Sequence, residues 1–344
     1  MEPTFLARNN QSRNNDLFYS DVQRPPVYNA EDYSEYLRKY CKFTGLQLYL
    51  NTGTDIHNKS AKTKILGKRP EKSDSFGLFD KHQMEMGLKQ FSSISELLNK
   101  LKIDLHLSYH SFLKEFISEP NDGVTLLLDL LKVVQLSQTN IAGVHNTIDS
   151  KVHQSVFKKA LADEHECLLC LKLCGESEDG GLRLVDHPSG LFTVSVCVMS
   201  NFSKSRVLAL QLLTKMCTIN QGHKQVSDAV SMLRLRFGEP VRFKFLIGRS
   251  YMKMIICPTL VMLGMLNSFN SGAFQISCLR FINTFVETAD NYRERVHIQA
   301  ELEDAGFDIS HLKKLVSKVR NLSPSLNIPA RFILSFSLEI RVTC

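Results

Sequence analysis

The chain has 344 residues, of which 43% are hydrophobic and 22% are charged. This composition is typical of a globular protein with a sizeable core and excludes a wholly disordered chain. The net charge of +7 is mild for this length. It permits an acidic partner or an anionic membrane surface, but nucleic-acid binders usually show a concentrated basic stripe, so we expect no nucleic acid as a partner.

The segment 1–24 is rich in Asn, Arg, Ser and Asp, and we expect it to be disordered. It lacks an apolar signal core and a Gly after the first Met, so neither secretion nor N-myristoylation is expected. Nine Cys lie mostly at core-facing helical positions. This placement predicts reduced thiols and a cytoplasmic protein.

The first predicted helix follows Pro25 and Pro26 and begins near Ala30, with Asn29 as its cap. An aromatic stripe runs along it, and its end is basic, with Arg38, Lys39 and Lys42. Two interpretations stay open: a helix that packs on the rest of the fold, or a docking helix for an acidic partner. The polar, Gly- and Pro-broken segment 51–80 predicts a mobile loop whose lysines are solvated.

Helical periodicity returns between residues 83 and 116, where Ile94, Leu97, Leu98 and Leu101 share a face. Another helix begins near Ser108 and stops at 120–123, and a further one starts at Val124. Residues 152–162 lead into the most apolar part of the chain, 165–217. There, two helical patterns flank a Gly-rich acidic turn and a His-Pro turn; the first places on one face Cys167, Cys170, Leu171 and Cys174.

After a turn at 220–224, helices are predicted to about Leu235, from 242 to 247, at 275–287, at 292–304 and at 309–319. The apolar run 254–266 is too short and too broken by Pro258 to span a bilayer. Helix-and-turn units of roughly 40 residues without convincing strands are typical of armadillo or HEAT-like repeats. The sequence therefore predicts an all-α fold, an armadillo/HEAT-like helical-repeat solenoid with a small N-terminal helical subdomain.

Neither a metal site nor a catalytic site is predicted. Cys167-x-x-Cys170 beside His165 has a metal-ligand spacing, but a structural zinc needs a second pair, and none follows. Asp186, His187 and Ser189 lie on a Pro-containing turn, where such residues usually cap helices. We expect no cofactor, no metal and no enzyme activity.

Several segments, in order, resemble the N-terminal regulatory region of diaphanous-related formins, and most nearly the formin-like subfamily. These are RPPVYNAEDYSEYL, SFLKEFISEPNDGVTLLLDLL, HECLLCLKLC, SKSRVLALQLLTKMCTINQGHKQV and GEPVRFKFLIG, followed by ISCLRFINTFVETADNYRERVHIQAELEDAGFDISHLKKL. The resemblance covers about residues 22–320. Residues 249–263 look like an insertion and 321–344 like a tail foreign to the family, which suggests a truncated or alternatively spliced form.

The resemblance implies a GTPase-binding subdomain at 25–120 and an armadillo-repeat inhibitory domain at 121–320. In the family, this region binds a GTP-loaded Rho-type GTPase and the formin's own C-terminal autoregulatory helix, and it controls actin assembly only indirectly. The resemblance therefore implies a cytoplasmic, cytoskeleton-associated protein that a GTPase recruits to the plasma membrane. By resemblance, Arg38, Lys39 and Lys42 would dock the GTPase.

Glu176, Ala209 and Leu213 would contact the autoregulatory helix. Glu176 departs from the family, which usually has Asn there, and for Ala209 and Leu213 ordinary repeat packing is an equal alternative. A generic armadillo-type peptide-binding scaffold without GTPase binding stays open as the alternative function. A monomer and a homodimer both stay open.

Overall fold

The computed structural model describes residues 23–43, 47–50, 91–143, 150–247 and 272–307. Within these ranges the regular structure is helical, apart from one isolated β-bridge between Arg24 and Ser108. The helices before the centre are α1 Ala30–Cys41, α2 Gln47–Leu50, α3 Ile94–Leu107, α4 His110–Ile117 and α5 Gly123–Gly143. The others are α6 Ser150–Glu176, α7 Glu178–Asp186, α8 Gly190–Val196 with a 3-10 turn at Cys197–Met199, α9 Ser203–Cys217, α10 Gly222–Phe237, α11 Lys244–Ile247, α12 Gly272–Glu287 and α13 Tyr292–Asp304.

The longer helices form two stacked rows. Helices α3, α6, α9 and α12 pack side by side in one row, and α1, α5, α8 and α10 form the other. Helix α5 packs along α6, and α9 along α10, so the rows share one continuous hydrophobic core. An array in which each helix contacts mainly its neighbours is a helical-repeat solenoid, which confirms the predicted fold class.

The entry to the fold is held by one buried carboxylate, Asp104 of α3, which is only 1% exposed. It accepts hydrogen bonds from Arg24 Nη2 (2.8 Å), the Val27 amide (2.9 Å) and the Tyr33 hydroxyl (2.8 Å). Arg24, which the sequence assigned to a disordered segment, is therefore fixed, whereas residues 1–22 lie outside the described residues.

Helix α1 begins at Ala30 as predicted, and the Asn29 amide donates to Asp32 Oδ2 (3.3 Å) in its first turn. The aromatic stripe of this helix faces the core, with Tyr33 and Leu37 fully buried and Tyr36 and Tyr40 nearly so. Tyr36 meets the ring of Phe91 edge-on, 4.8 Å between centroids. Of the two interpretations, the stripe therefore belongs to a packing helix.

The Gly-rich acidic segment is mostly helical: α6 ends at Glu176, the chain bends at Ser177, and α7 begins at Glu178, so the predicted turn is confined to Ser177. The Ser177 hydroxyl accepts from the Gly180 amide (3.1 Å) and caps α7. A Cβ at Gly180 would lie 2.0 Å from the Cys174 carbonyl oxygen, and one at Gly181 would lie 2.4 Å from Ile219 Cδ1. These glycines permit close packing of α7 against the end of α6 and against Ile219.

Other predicted elements agree with the structure or lie outside it. Helix α13 spans the predicted 292–304, and α10 ends at Phe237 before Gly238, whose φ of 64° favours glycine. The loop 51–80, the insertion 249–263, the helix 309–319 and the tail 321–344 lie outside the described residues. None of the helices among the described residues is long and apolar enough to cross a membrane.

Candidate partner-binding surfaces

The basic end of α1 is exposed. Arg38, Lys39 and Lys42 follow the buried tyrosines and point away from the core, as the amphipathic spacing requires. Lys39 Nζ lies 5.7 Å from the centroid of the Tyr36 ring. Lys39 and Lys42 can therefore meet an acidic partner without disturbing the packing of α1.

Arg38 has a structural role in addition. Its Nη2 donates to the carbonyl oxygens of Pro120 (2.6 Å) and Asn121 (3.2 Å) in the loop between α4 and α5. On the other side of this loop, Arg183 of α7 pairs with Asp122 at 3.0 Å. Two arginines from separate helices thus fix the 118–122 loop, which joins the basic end of α1 to the repeat array.

A second surface is the outer side of α6 and α9, which we call the α6–α9 face. It consists of residues that are exposed or half-buried at helical spacing: His165, Leu169, Leu173 and Glu176 on α6, and Lys204, Val207, Gln211 and Lys215 on α9. His165 meets the Phe202 ring edge-on at 5.3 Å, and a Cβ at Gly175 would lie 3.4 Å from Leu212 Cδ1. The two helices therefore run parallel and present one continuous face.

The predicted autoregulatory contacts divide between this face and the core. Glu176 is exposed at the end of α6, but Ala209 is fully buried and Leu213 is 1% exposed. Helix α9 is covered by α6 on one side and by α12 on the other. Ala209 and Leu213 therefore pack between repeats, and their side chains do not lie on the α6–α9 face.

Sequence reasoning missed Leu169, Leu173 and Val207, which are half-buried and pack against the core while keeping surface on the α6–α9 face. Their positions fall on the same helical stripe as Glu176 and Lys204. The sequence pattern that could have located this face is the recurrence of Lys and Gln between apolar residues along α9.

Charged side chains lie at both ends of the α6–α9 face, and those near His165 interact with one another. Lys102 of α3 forms an ion pair with Glu166, and Lys204 is exposed beside them. Burial lowers the pKa of His165, and the charges of Lys204 and Lys102 lower this pKa further against the opposing effect of Glu166. All four side chains therefore lie within electrostatic reach of one another.

The thiols of the central helix are enclosed. Cys167 Sγ lies 3.2 Å from the Leu127 carbonyl oxygen and Cys170 Sγ 3.6 Å from that of Leu98. Burial raises the pKa of both thiols well above the ordinary value and that of Cys174 to about 12. The cysteines among the described residues are free, and within those residues no group of three or more His, Cys, Asp or Glu is arranged to hold a metal ion.

Family models match most of the chain. The Diaphanous GTPase-binding Domain matches residues 53–218, and the Diaphanous FH3 Domain matches residues 223–328. Together with the helical-repeat fold, these matches define a regulatory region that combines a GTPase-binding domain with an FH3 domain. The chain belongs to the diaphanous-related formins and corresponds to their N-terminal regulatory region.

Similar proteins support the same family. The chain is 22% identical to human Formin-like protein 2 over 271 residues, covering 64% of this chain and 23% of that protein. It is 23% identical to human Formin-like protein 1, covering 64% of this chain and 22% of the relative, and 25% identical to Dictyostelium discoideum Formin-D, covering 74% and 17%. The chain thus spans less than a quarter of the length of these relatives.

The fold is shared with solved structures, of which we describe one. It is that of E. histolytica Formin1 bound to EhRho1-GTPgammaS, with a TM-score of 0.50, 17% sequence identity and 71% of each chain covered. The family models place a boundary between residues 218 and 223, whereas the division at residue 120 stays a prediction.

Proposed function

We propose that this chain is a non-enzymatic regulatory module of a formin, which binds the GTP-loaded form of a Rho-family GTPase. The match of the GTPase-binding domain model to residues 53–218 carries this proposal. The basic end of α1 supports it, because exposed lysines next to a fixed loop suit a partly acidic GTPase surface. Charge of this kind mainly raises the association rate.

The module has a second partner in this proposal, the autoregulatory helix of a longer formin. The α6–α9 face supports helix-in-groove binding, because it offers half-buried apolar side chains along two parallel helices. Glu176 stays a proposed contact, and Leu169, Leu173 and Val207 replace Ala209 and Leu213 as apolar contacts. Actin would be reached only indirectly, and the bound GTPase would bring the cytoplasmic chain to the plasma membrane and cytoskeleton.

The experiment is a binding titration of the folded chain against Rho, Rac and Cdc42-type GTPases, each loaded with GTPγS or with GDP. We expect binding confined to the GTPγS form of at least one of them. Equal or absent binding would favour a generic armadillo-type scaffold. The mass of the complex, measured by light scattering, shows whether one or two copies of the chain take part.

A charge-reversed variant tests the surface. Lys39→Glu/Lys42→Glu should slow association with the GTPγS-loaded GTPase about tenfold at low salt, because each lysine contributes to electrostatic steering. Arg38 is left unchanged since it holds the 118–122 loop. The matched control is Lys224→Glu/Arg293→Glu, two exposed positions away from α1. Equal association rates for the two variants would remove the basic end of α1 from the GTPase site.

A further inference from the structure

We propose that the α6–α9 face selects an amphipathic helix with acidic side chains at one end, so that charge as well as apolar contact chooses the partner. This inference rests on the proposed function, because it names the chemistry of the helix that the face would receive. The occupant of the face is a helical peptide segment, whose acidic end would complement the positive charge at one end of the face.

The apolar part of the face is narrow. Leu169 and Leu173 lie one turn apart on α6. Val207 lies at the same level of the parallel helix α9, because His165 meets Phe202 before it and Gly175 lies near Leu212 after it. Each is half-buried and packs on the core beneath it, so its exposed part is held in place. A seam of this kind fits the apolar stripe of a single helix, whose contact residues recur at i, i+3, i+4 and i+7.

The end of the seam near His165 has excess positive charge. The carboxylate of Glu166 is already paired with Lys102, whereas Lys204 is exposed on α9. Lys158 is exposed two turns before His165 on the same side of α6. Acidic side chains on a docked helix would meet these lysines, and basic ones would be repelled.

The opposite end of the seam has no such excess. On the last turns of α6, Lys172 is half-buried and Glu176 is exposed; Lys215 is exposed on the adjoining turns of α9, and Glu178 and Asp179 are exposed in the first turn of α7. Because Gly175 packs near Leu212 and Met216, the two lysines lie toward the same end as these carboxylates and are offset by them. The face is therefore electrostatically asymmetric, and only one end of a bound helix needs to be acidic.

The test uses two synthetic amphipathic peptides with an identical apolar stripe, one with Glu and one with Lys in its terminal turn. We expect the full chain to bind the Glu peptide about tenfold more tightly at low salt, with the preference shrinking as salt screens the charges. Lys204→Glu should abolish or invert the preference. Lys224→Glu, an exposed position on α10 in the other row, is the matched control and should leave it unchanged.

Val207→Asp should weaken both peptides strongly, since it places a charge within the seam; circular dichroism checks that it folds. The inference is overturned if both peptides bind equally, or if Lys204→Glu behaves like Lys224→Glu. If both peptides bind equally and Val207→Asp abolishes the binding of both, the face still docks a helix but does not select it by charge. If neither peptide binds, helix docking itself fails together with this inference, while GTP-dependent GTPase binding is judged separately by its own titration.

Discussion

At the scale of single residues, buried polar groups hold the entry and the centre of the fold. Asp104 joins the 24–28 segment and α1 to α3, and it lies between Leu101 and Leu105 in an otherwise apolar pattern. On α6, the Glu164 carboxylate accepts from Ser200 Oγ (2.6 Å) and Gln138 Nε2 (3.0 Å). Buried carboxyl groups of this kind are costly to remove because their partners lose hydrogen bonds that water cannot replace.

Removal of the Asp104 carboxylate should destabilise the chain. Asp104→Ala leaves the Arg24 guanidinium, the Val27 amide and the Tyr33 hydroxyl without their acceptor, so we expect the free energy of unfolding in urea to fall by about 3 kcal/mol. Asp129→Ala, at an exposed position of α5, should change it by less than about 0.5 kcal/mol. Similar losses for both would show that the anchor contributes little.

Stability should also depend on pH through Glu164. Burial raises its pKa, so the folded chain holds the proton at pH values where the unfolded chain, with an ordinary value of about 4.3, has released it. The unfolding free energy therefore decreases as pH rises from that ordinary value through the raised one, with a slope of at most about 1.4 kcal/mol per pH unit for this group.

The measurement is urea unfolding across this pH range for the wild type and for Glu164→Gln, which cannot ionise. The difference between the two curves should change with pH in the stated direction. Glu176→Gln, at the exposed end of the same helix, is the control. A pH-independent difference for Glu164→Gln would contradict the assignment.

At the scale of elements, the central helices are apolar on more than one side because each has neighbours on both sides. Periodicity therefore predicts where these helices lie, but not which of their sides is exposed. The start of α1 and the bounds of α13 followed from caps and periodicity, and the burial of Cys167, Cys170 and Cys174 followed from their spacing. The sequence did not reveal which side of α9 faces outward. Ala209 and Leu213 are small or apolar, as residues of a binding groove would be, and only the packing of α9 against α6 and α12 shows that they are buried.

The enclosed thiols of the central helices should not react in the folded chain. Cys257 and Cys344 lie outside the described residues, so the experiment uses a variant with both replaced by Ser. Its remaining thiols are buried or half-buried, with pKa values raised by burial, for example to about 12 for Cys41, Cys174 and Cys217. We expect negligible reaction with a thiol reagent at pH 8 until urea unfolds the chain. Rapid labelling without unfolding would contradict this packing.

Substitutions of Arg38 and Arg183 should have coupled effects on the free energy of unfolding, because both side chains hold the 118–122 loop. Arg38→Ala and Arg183→Ala should each lower the unfolding free energy by about 1 kcal/mol, because each removes charge-assisted hydrogen bonds to the same loop. Their effects should be less than additive in the double variant, since either change alone frees the loop. Lys39→Ala is the control, and strict additivity would show that the contacts act independently.

At the scale of the whole molecule, the array presents two surfaces on one continuous core. The basic end of α1 lies at one end of the row α1, α5, α8 and α10, and the α6–α9 face lies on the other row. The fixed 118–122 loop and α7 lie between them, and α7 begins directly after Glu176. We therefore predict that the binding of one proposed partner depends on the other, since both proposed surfaces belong to the same packed elements.

A displacement titration tests that claim most directly. The chain is first bound to the fluorescent Glu peptide, and a GTPase found to bind the chain is then added, loaded with GTPγS or with GDP. We predict that the GTPγS form weakens peptide binding and releases the peptide, while the GDP form does not. Undiminished peptide affinity with the GTPγS-loaded GTPase bound to the same chain would contradict a regulatory module in which the two partners compete.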